Sequence, residues 1–396
     1  MKSANWSTLI VNAQVVKENE TIRDGYVAIN GEGRIAAAGS MDGLDVRQAS
    51  TALQRVDAAG SWLLPGFIDV HVHGGYGYDF MEATKEAIDG ITKFHNSQGT
   101  TTLLATTVTQ SREAIEAVLR AADAYRKAGS PYARLGGVHL EGPFISPKWP
   151  GAQNPSFIVD PQADWLDAWT EEFPGLIRMM TLAPERENAL PLIRRLTDQG
   201  IVASAGHTDA TYDQMVEATR YGLRHAVHTF NAMTGLHHRN PGVVGAVLTE
   251  EVINAEVIAD GHHVHPAAIK LLTLAKRKDN LLLITDAMSA AGLGSGEYDL
   301  GGLPVIVEDG VARLKAGNTL AGSTLTMIQA LRFMVERVGL SVEEASRLAS
   351  HNPAKAIGCL EQTGTISEGK LADLLLVSPQ LQIGRVWVEG HATTSE

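Results

Sequence analysis

Residues 1–64 alternate apolar and polar positions in short runs broken by glycine-rich turns: STLIVNAQVV, DGYVAINGEGRIAAAG and a run ending at WLLPG. A period of two predicts half-buried strands, and the intervening turns predict a small antiparallel sheet. Residues 360–396 have the same texture, with GTISEGKLADLLLVSP followed by GRVWVEGH. Both chain ends are therefore expected in one satellite β domain.

Between them the pattern changes. Apolar runs of strand length, GFIDVHVHG, TTLLATTV, ARLGGVHLEGP, GLIRMMTLAPE, GIVASAGHT, LRHAVHTF, VINAEVIADG and NLLLITDA, alternate with stretches whose apolar residues recur every three or four positions. ATKEAIDGITKFHNSQ, SREAIEAVLRAADAYRKAG, NALPLIRRLTDQ, YDQMVEATRYG and PAAIKLLTLAKRK are of the second kind and predict helices. Strand, loop and helix in repetition predict an α/β chain with a (β/α)8 TIM barrel over residues 65–359. An open doubly wound sheet is the alternative, but the G-x-G-x-x-G turn of its dinucleotide-binding form does not follow the first strand.

Composition narrows the partners. The chain has 396 residues, 44% of them hydrophobic and 20% charged, enough for one large domain and a smaller one. A formal net charge of -12 without a basic run argues against a nucleic-acid partner, so an anionic ligand must be held by local cations. The single cysteine, Cys359, makes no internal disulfide. The opening MKSANWSTLIVNAQVV lacks the features of a secretory signal, and no apolar stretch reaches the roughly 18–20 residues of a membrane span. These features lead us to expect a cytoplasmic protein with no membrane partner.

The candidate chemistry falls at the strand ends. In PGFIDVHVHGG, His71 and His73 close the first barrel strand. Period two puts both imidazoles on one face, and the glycines after them leave room for backbone and ligand. Glu141 ends the third strand, His207 the fifth, His228 the sixth and Asp286 the eighth. All lie at carboxyl ends, where barrel active sites are built. His95, His225, His351 and His391 are scattered over helices and loops and read as structural or solvated. Imidazoles and carboxylates without a thiolate point to a catalytic divalent ion: zinc first, with iron, manganese or cobalt as alternatives. Such an ion lowers the pKa of water from ~15.7 to about 7 and polarises a carbonyl. Asp286, alone at the end of its strand, is the candidate to move the proton.

These residues resemble the amidohydrolase superfamily and, within it, the sugar-phosphate branch that deacetylates N-acetylglucosamine 6-phosphate. The resemblance rests on PGFIDVHVHG, GVHLEGPF, GAQNPSF, LAPE, SAGHT, HTFNAM, ADGHHVHP, TDAMSAAG and LAGSTLTM, spread in order over nearly the whole chain. It implies a β-sandwich from both chain ends beside the barrel, and a homodimer. It implies Glu141, His207 and His228 as ligands of the principal ion and Asp286 as general base, then acid. Hydroxide on the ion would attack the acetamide carbonyl, giving acetate and glucosamine 6-phosphate. Ala152, Gln153, Asn231, Ala232, His263, Leu320, Ala321 and Gly322 match substrate-contacting positions, and Arg239 matches an arginine that reaches the phosphate in the neighbouring subunit's site. Guanidinium suits that task, giving a bidentate charge-assisted pair.

Two features vary within the family. Gln153 stands where many members carry a histidine that polarises the substrate carbonyl; an amide can donate a hydrogen bond but carries no proton. The His71/His73 pair is replaced in members that run on one ion and kept in others, so one or two ions per subunit are expected, with Glu141 and Asp286 able to touch a second. His262 and His265 are expected in supporting roles.

Three other functions compete with this one. Cyclic-amide hydrolases of the dihydroorotase or hydantoinase type commonly bridge two metals with a carboxylated lysine on strand four, and IRMMTLAPE contains none. Deacetylation of N-acetylgalactosamine 6-phosphate differs at one hydroxyl and stays open. A binding protein that had lost its chemistry would be expected to lose ligands, and this chain keeps the set.

Overall fold

A computed structural model describes residues 6–276 and 279–393. Residues 1–5 and 394–396 of the terminal segments, and Arg277 and Lys278 of the helix predicted from PAAIKLLTLAKRK, lie outside the described residues.

The eight apolar runs form one parallel sheet in chain order: β1 (Phe67–Val72), β2 (Thr100–Thr107), β3 (Arg134–Glu141), β4 (Ile177–Leu182), β5 (Val202–Ala205), β6 (His225–Ala226), β7 (Asn254–Ile258) and β8 (Leu281–Ile284). The last strand returns to the first. Asp286 N–H donates to His71 O at 2.9 Å, His73 N–H to Ala287 O at 2.9 Å, and Val72 bridges Ala287 in parallel. Asp69, buried on β1, accepts from Thr285 Oγ1 at 2.5 Å across the same seam. The expected barrel is present.

Five helices follow the predicted periodicity: α1 (Lys85–Ser97), α2 (Arg112–Ala128), α4 (Ala189–Asp198), α5 (Tyr212–Tyr221) and α7 (Pro266–Ala275), with α3 (Ala163–Glu172) and α6 (Gly242–Thr249) between them and Met327–Phe333, Val342–Ala349 and His351–Ala356 after β8. On α2, Ile115, Val118, Leu119, Ala122 and Tyr125 are buried, the stripe expected of a helix lying on a sheet. Capping explains the starts: Thr84 accepts from Ala87 N–H, Ser111 from Ala114 N–H, and Thr211 and Gln214 form a capping box. Among the described residues no helix is long and apolar enough to cross a membrane.

Strands from both chain ends share a second, mixed sheet. Trp6–Val16 pairs along its first half with Gln54–Asp57 and along its second with Trp62–Pro65, so the sheet forks there. Leu374–Val377 then adds to Trp62–Pro65, followed by Ile383–Val388 and His391–Thr393. Ile10, Val27 and Ile29 from one end pack with Leu374 and Trp387 from the other, the interior of a small sandwich.

One element was not foreseen. A three-stranded antiparallel sheet, Gly296–Leu300, Leu303–Glu308 and Val311–Leu314, is inserted after β8. Its inner residues Leu300, Val305, Val307 and Ala312 pack on Met288, Ala290 and Ala321. It thereby supports the loop that carries Leu320, Ala321 and Gly322.

Candidate metal and substrate site

Six side chains converge at the carboxyl end of the barrel in two donor groups: His71, His73 and Asp286; and Glu141, His207 and His228. All six are buried, Asp286 the least, at 8% exposed. In the second group His207 Nε2 and His228 Nε2 lie 3.3 and 3.1 Å from Glu141 Oε1 and 3.2 Å from each other. In the first, His73 Nε2 is 3.2 Å from Asp286 Oδ1, and His71 Nε2 is 3.6 Å from the same oxygen. Glu141 links the groups, with Oε1 3.2 Å from His71 Nε2 and Oε2 3.3 Å from His73 Nε2.

The other ring nitrogens decide what these atoms are. His207 Nδ1 donates to Trp149 O at 3.0 Å, His228 Nδ1 to Asn231 O at 3.2 Å, His73 Nδ1 to Thr106 O at 3.3 Å and His71 Nδ1 to Glu256 Oε2 at 2.9 Å. With the protons placed there, four Nε2 lone pairs and two carboxylates point at one another, which is stable only with positive charge between them. Donors about 2.1 Å from one ion lie about 3.0 Å apart across an octahedral edge and about 3.4 Å across a tetrahedral one. The observed separations of the Glu141 group fall in that range. The buried His71 Nε2 makes no well-formed hydrogen bond, although Glu141 Oε1 lies 3.2 Å away. The donor set fits a divalent ion.

Electrostatics agree. Burial opposes charge on His71, yet Glu141, Asp286 and Glu256 hold its pKa well above the ordinary imidazole value. Burial opposes charge on His73 too, and bonds to Asp286 and Glu141 still push it up to about 9. Burial would raise both carboxyls, but His71 and its neighbouring imidazoles hold Glu141 well below the usual range, and His71 and His73 hold Asp286 below it. A divalent ion takes the place of the protons these imidazoles otherwise carry. Asp286 remains ionised and able to accept a proton.

The chain turns sharply to present these groups. His207, His228 and Asp286 have φ of 47°, 28° and 50°, a left-handed backbone that non-glycine residues adopt at a cost of about 1–3 kcal/mol each and that concentrates at functional sites. The glycines after His73 serve the protein's own packing: a Cβ on Gly74 would stand 2.2 Å from Tyr78 O, and one on Gly75 2.7 Å from Phe94. The close backbone approach expected there is made at Gly74 by Tyr78, and an aromatic ring packs on Gly75.

The substrate-contact candidates divide. Gln153 is buried and engaged at both ends, Nε2 donating to Glu141 Oε2 at 2.6 Å and Oε1 accepting from Thr109 N–H at 2.6 Å. Thr109 N–H and the Glu141 carboxylate fix which way the amide faces. Ala152 packs beside it against the cluster containing Met288 and Ala321. Asn231 and Ala232 lie beside the second donor group, Ala232 O accepting from Thr208 N–H at 3.2 Å. The stretch from Leu320 to Gly322 runs onto the segment just after β8, where Ser323 N–H donates to Asp286 O at 2.7 Å, and a Cβ on Gly322 would stand 3.0 Å from that oxygen. His263 Nδ1 is held by Asp260 Oδ2 at 2.7 Å just after β7. Arg239 is exposed on the loop before α6, with Nη1 2.8 Å from His238 Nε2, and is not brought against the donor groups of its own chain. His265 caps α7, accepting from Ala267 N–H, and His262 is exposed.

Sequence reasoning missed the supporting residues. Glu256, wholly buried on β7, accepts from His71 and from His225 Nε2 at 2.8 Å. Its signal was an acid inside the apolar run INAEVIA. His225, grouped above with the scattered histidines although LRHAVHTF contains it, is a buried structural residue of β6. On the other side Glu185 accepts from Thr208 Oγ1 at 2.5 Å and Asp209 N–H at 2.7 Å, and Asp209 accepts from Trp149 Nε1 at 2.9 Å. That chain fixes the loop whose carbonyl orients His207.

Comparison with known proteins agrees with this geometry. The model of the amidohydrolase family matches residues 62–393. An N-acetylglucosamine-6-phosphate deacetylase of Bacillus subtilis (strain 168) is 42% identical over 381 residues, 95% of this chain and 94% of that protein. An N-acetylgalactosamine-6-phosphate deacetylase of Escherichia coli O157:H7 is 40% identical, covering 83% and 87%. The structure of a mutant N-acetyl-D-glucosamine-6-phosphate deacetylase from Mycobacterium smegmatis, in complex with N-acetyl-D-glucosamine 6-phosphate, superposes with a TM-score of 0.90 at 35% identity over 97% of this chain and 98% of that one. Strand order, paired donor groups and similarity over nearly the whole length agree: the chain belongs to the amidohydrolase family.

Proposed function

We propose that the chain hydrolyses the acetamide of N-acetyl-D-glucosamine 6-phosphate to acetate and D-glucosamine 6-phosphate. The observation that carries this is the convergence of Glu141, His207 and His228 beside an ionised Asp286 at the barrel mouth, in a chain 42% identical to a relative of that name.

A divalent ion bound there supplies an acidified water and a polarised carbonyl. We assign Glu141, His207 and His228 to the principal ion, zinc first among the candidates, and His71, His73 and Asp286 to a second. The remaining steps belong to the chain. Asp286 takes a proton from the attacking water as the C–O bond forms, then hands it to the amide nitrogen as the C–N bond breaks, so the sugar leaves as an amine and the acyl group as acetate. Gln153, by holding Glu141 Oε2, keeps that carboxylate turned toward the imidazoles. Asn231, Ala232, His263 and the Leu320–Gly322 stretch frame the sugar. Arg239 reaches the phosphate in the neighbouring subunit of a homodimer, which its exposed position supports. We draw the boundaries between sandwich and barrel after residue 64 and after residue 359; the single cysteine supports a cytoplasmic setting.

The test is acetate release from N-acetyl-D-glucosamine 6-phosphate by purified, zinc-loaded protein. Turnover is expected with this substrate, and its absence overturns the proposal. A second reading, the galacto epimer, is supported by the 40% identical Escherichia coli relative. A larger kcat/KM for N-acetyl-D-galactosamine 6-phosphate in the same assay would favour it.

A further inference from the structure

Glu256 is a buried carboxylate that touches both donor groups without belonging to either. Its Oε2 accepts from His71 Nδ1 at 2.9 Å and, at 3.3 Å, from the backbone N–H of His228. Its Oε1 accepts from His225 Nε2 at 2.8 Å, and its main-chain oxygen accepts from Thr229 N–H at 2.9 Å. The far nitrogen of His225, Nδ1, is buried with no partner, so Nε2 is the edge through which that ring is held.

An ionised carboxylate at zero exposure is costly unless opposite charge compensates it. The donors around it are two imidazoles and one backbone amide. The nearest place for that charge is the other edge of His71, where Nε2 makes no well-formed hydrogen bond and faces Glu141 Oε1 at 3.2 Å and Asp286 Oδ1 at 3.6 Å. Carboxylate, imidazole and ion in line reinforce one another: the carboxylate fixes the tautomer and makes Nε2 a stronger ligand, while the ion strengthens the Nδ1–H bond. The bond to His228 N–H adds a second effect, steadying a backbone turned to a φ of 28°.

We propose that Glu256 is a positioning residue that sets the affinity of the His71, His73 and Asp286 group for a divalent ion and ties that group to the one holding His228. The inference rests on the two donor groups assigned above, and it is read out by ion binding, not by turnover.

Metal-stripped wild type, Glu256→Gln, His71→Asn and the double variant are dialysed against graded Zn2+, and bound zinc per subunit is measured by mass spectrometry. Co2+ is used in parallel, its visible absorption reporting the coordination. Wild type is expected to take up two equivalents. Glu256→Gln should weaken the second by about 10- to 100-fold, the range for lost carboxylate partners of ligand histidines, and shift its Co2+ spectrum. The first equivalent should change far less. In the His71→Asn background, Glu256→Gln should have no further effect on the weaker equivalent, because the carboxylate acts through that ring. Glu256→Asp, which keeps the charge but shortens the reach, serves where Glu256→Gln does not fold and should weaken the same equivalent. A wild type that never takes up a second equivalent, or variants that bind it as tightly as wild type, overturns the proposal. Acetate release by saturated wild type reports the deacetylase reading separately.

Discussion

His95 offers a test of the barrel mouth that needs no bound ion. It lies on α1, wholly buried, with Nε2 donating to Gly74 O at 2.9 Å just beyond the His71/His73 pair, and its Nδ1 has no partner. Burial pulls its pKa down from 6.5 to about 4. The folded chain therefore keeps this ring neutral while the unfolded chain takes up a proton near 6.5. Between those values the unfolded state binds more protons, so stability is complete above about pH 6.5 and is lost as pH falls toward about 4. A difference of about 2.5 units at 1.36 kcal/mol each makes the full loss about 3 kcal/mol, a substantial part of the roughly 5–15 kcal/mol that holds a domain folded. His95→Gln retains a donor for Gly74 and removes the titration. Urea unfolding of both proteins at about pH 7.5 and about pH 4.5 isolates the term, since other groups cancel in the difference between them. The advantage of wild type over His95→Gln should shrink by about 2–3 kcal/mol on acidification. A difference that stays flat to within about 0.5 kcal/mol would refute the burial argument.

Three further outcomes follow from the site. Replacing His71 with Gln and His73 with Asn together should remove one ion per subunit while kcat stays within about tenfold of wild type, measured by metal analysis and acetate release; loss of all activity would make the second group essential. Arg239→Ala should raise KM for the phosphorylated sugar by about 10- to 100-fold, from a charged hydrogen bond worth about 1.5–3 kcal/mol, and leave unphosphorylated N-acetylglucosamine unaffected. Gln153→Leu strands Thr109 N–H and takes one of its donors from Glu141 Oε2, so metal-free protein should lose about 1–3 kcal/mol in urea unfolding, and an unchanged midpoint would sever that link.

Much of this was legible because parallel strands buried on both faces read as apolar runs, so a polar residue at their ends stands out. His71, His73, Glu141, His207, His228 and Asp286 were found that way. The same rule fails inside a strand, where Glu256 looks like an interruption until its partner His225 is seen on the neighbouring strand. It also overestimates length. LRHAVHTF reads as a full strand, yet pairing stops at Ala226 because the backbone turns left-handed at His228 and again at Phe230, whose φ is 84°. The helix α6, GVVGAVLT, is buried almost all round and so has no polar face for periodicity to detect. The inserted sheet after β8 was missed because its strands alternate weakly and their role, bracing the loop against Asp286, depends on contacts distant in sequence.

The most direct measurement is Asp286→Asn in the zinc-loaded protein, with bound zinc and acetate release followed on the same sample. If Asp286 carries the proton between water and the leaving amine, the ion on Glu141, His207 and His228 stays bound while acetate release falls by about a hundred- to ten-thousandfold. Near-normal turnover with the ion in place would contradict that role.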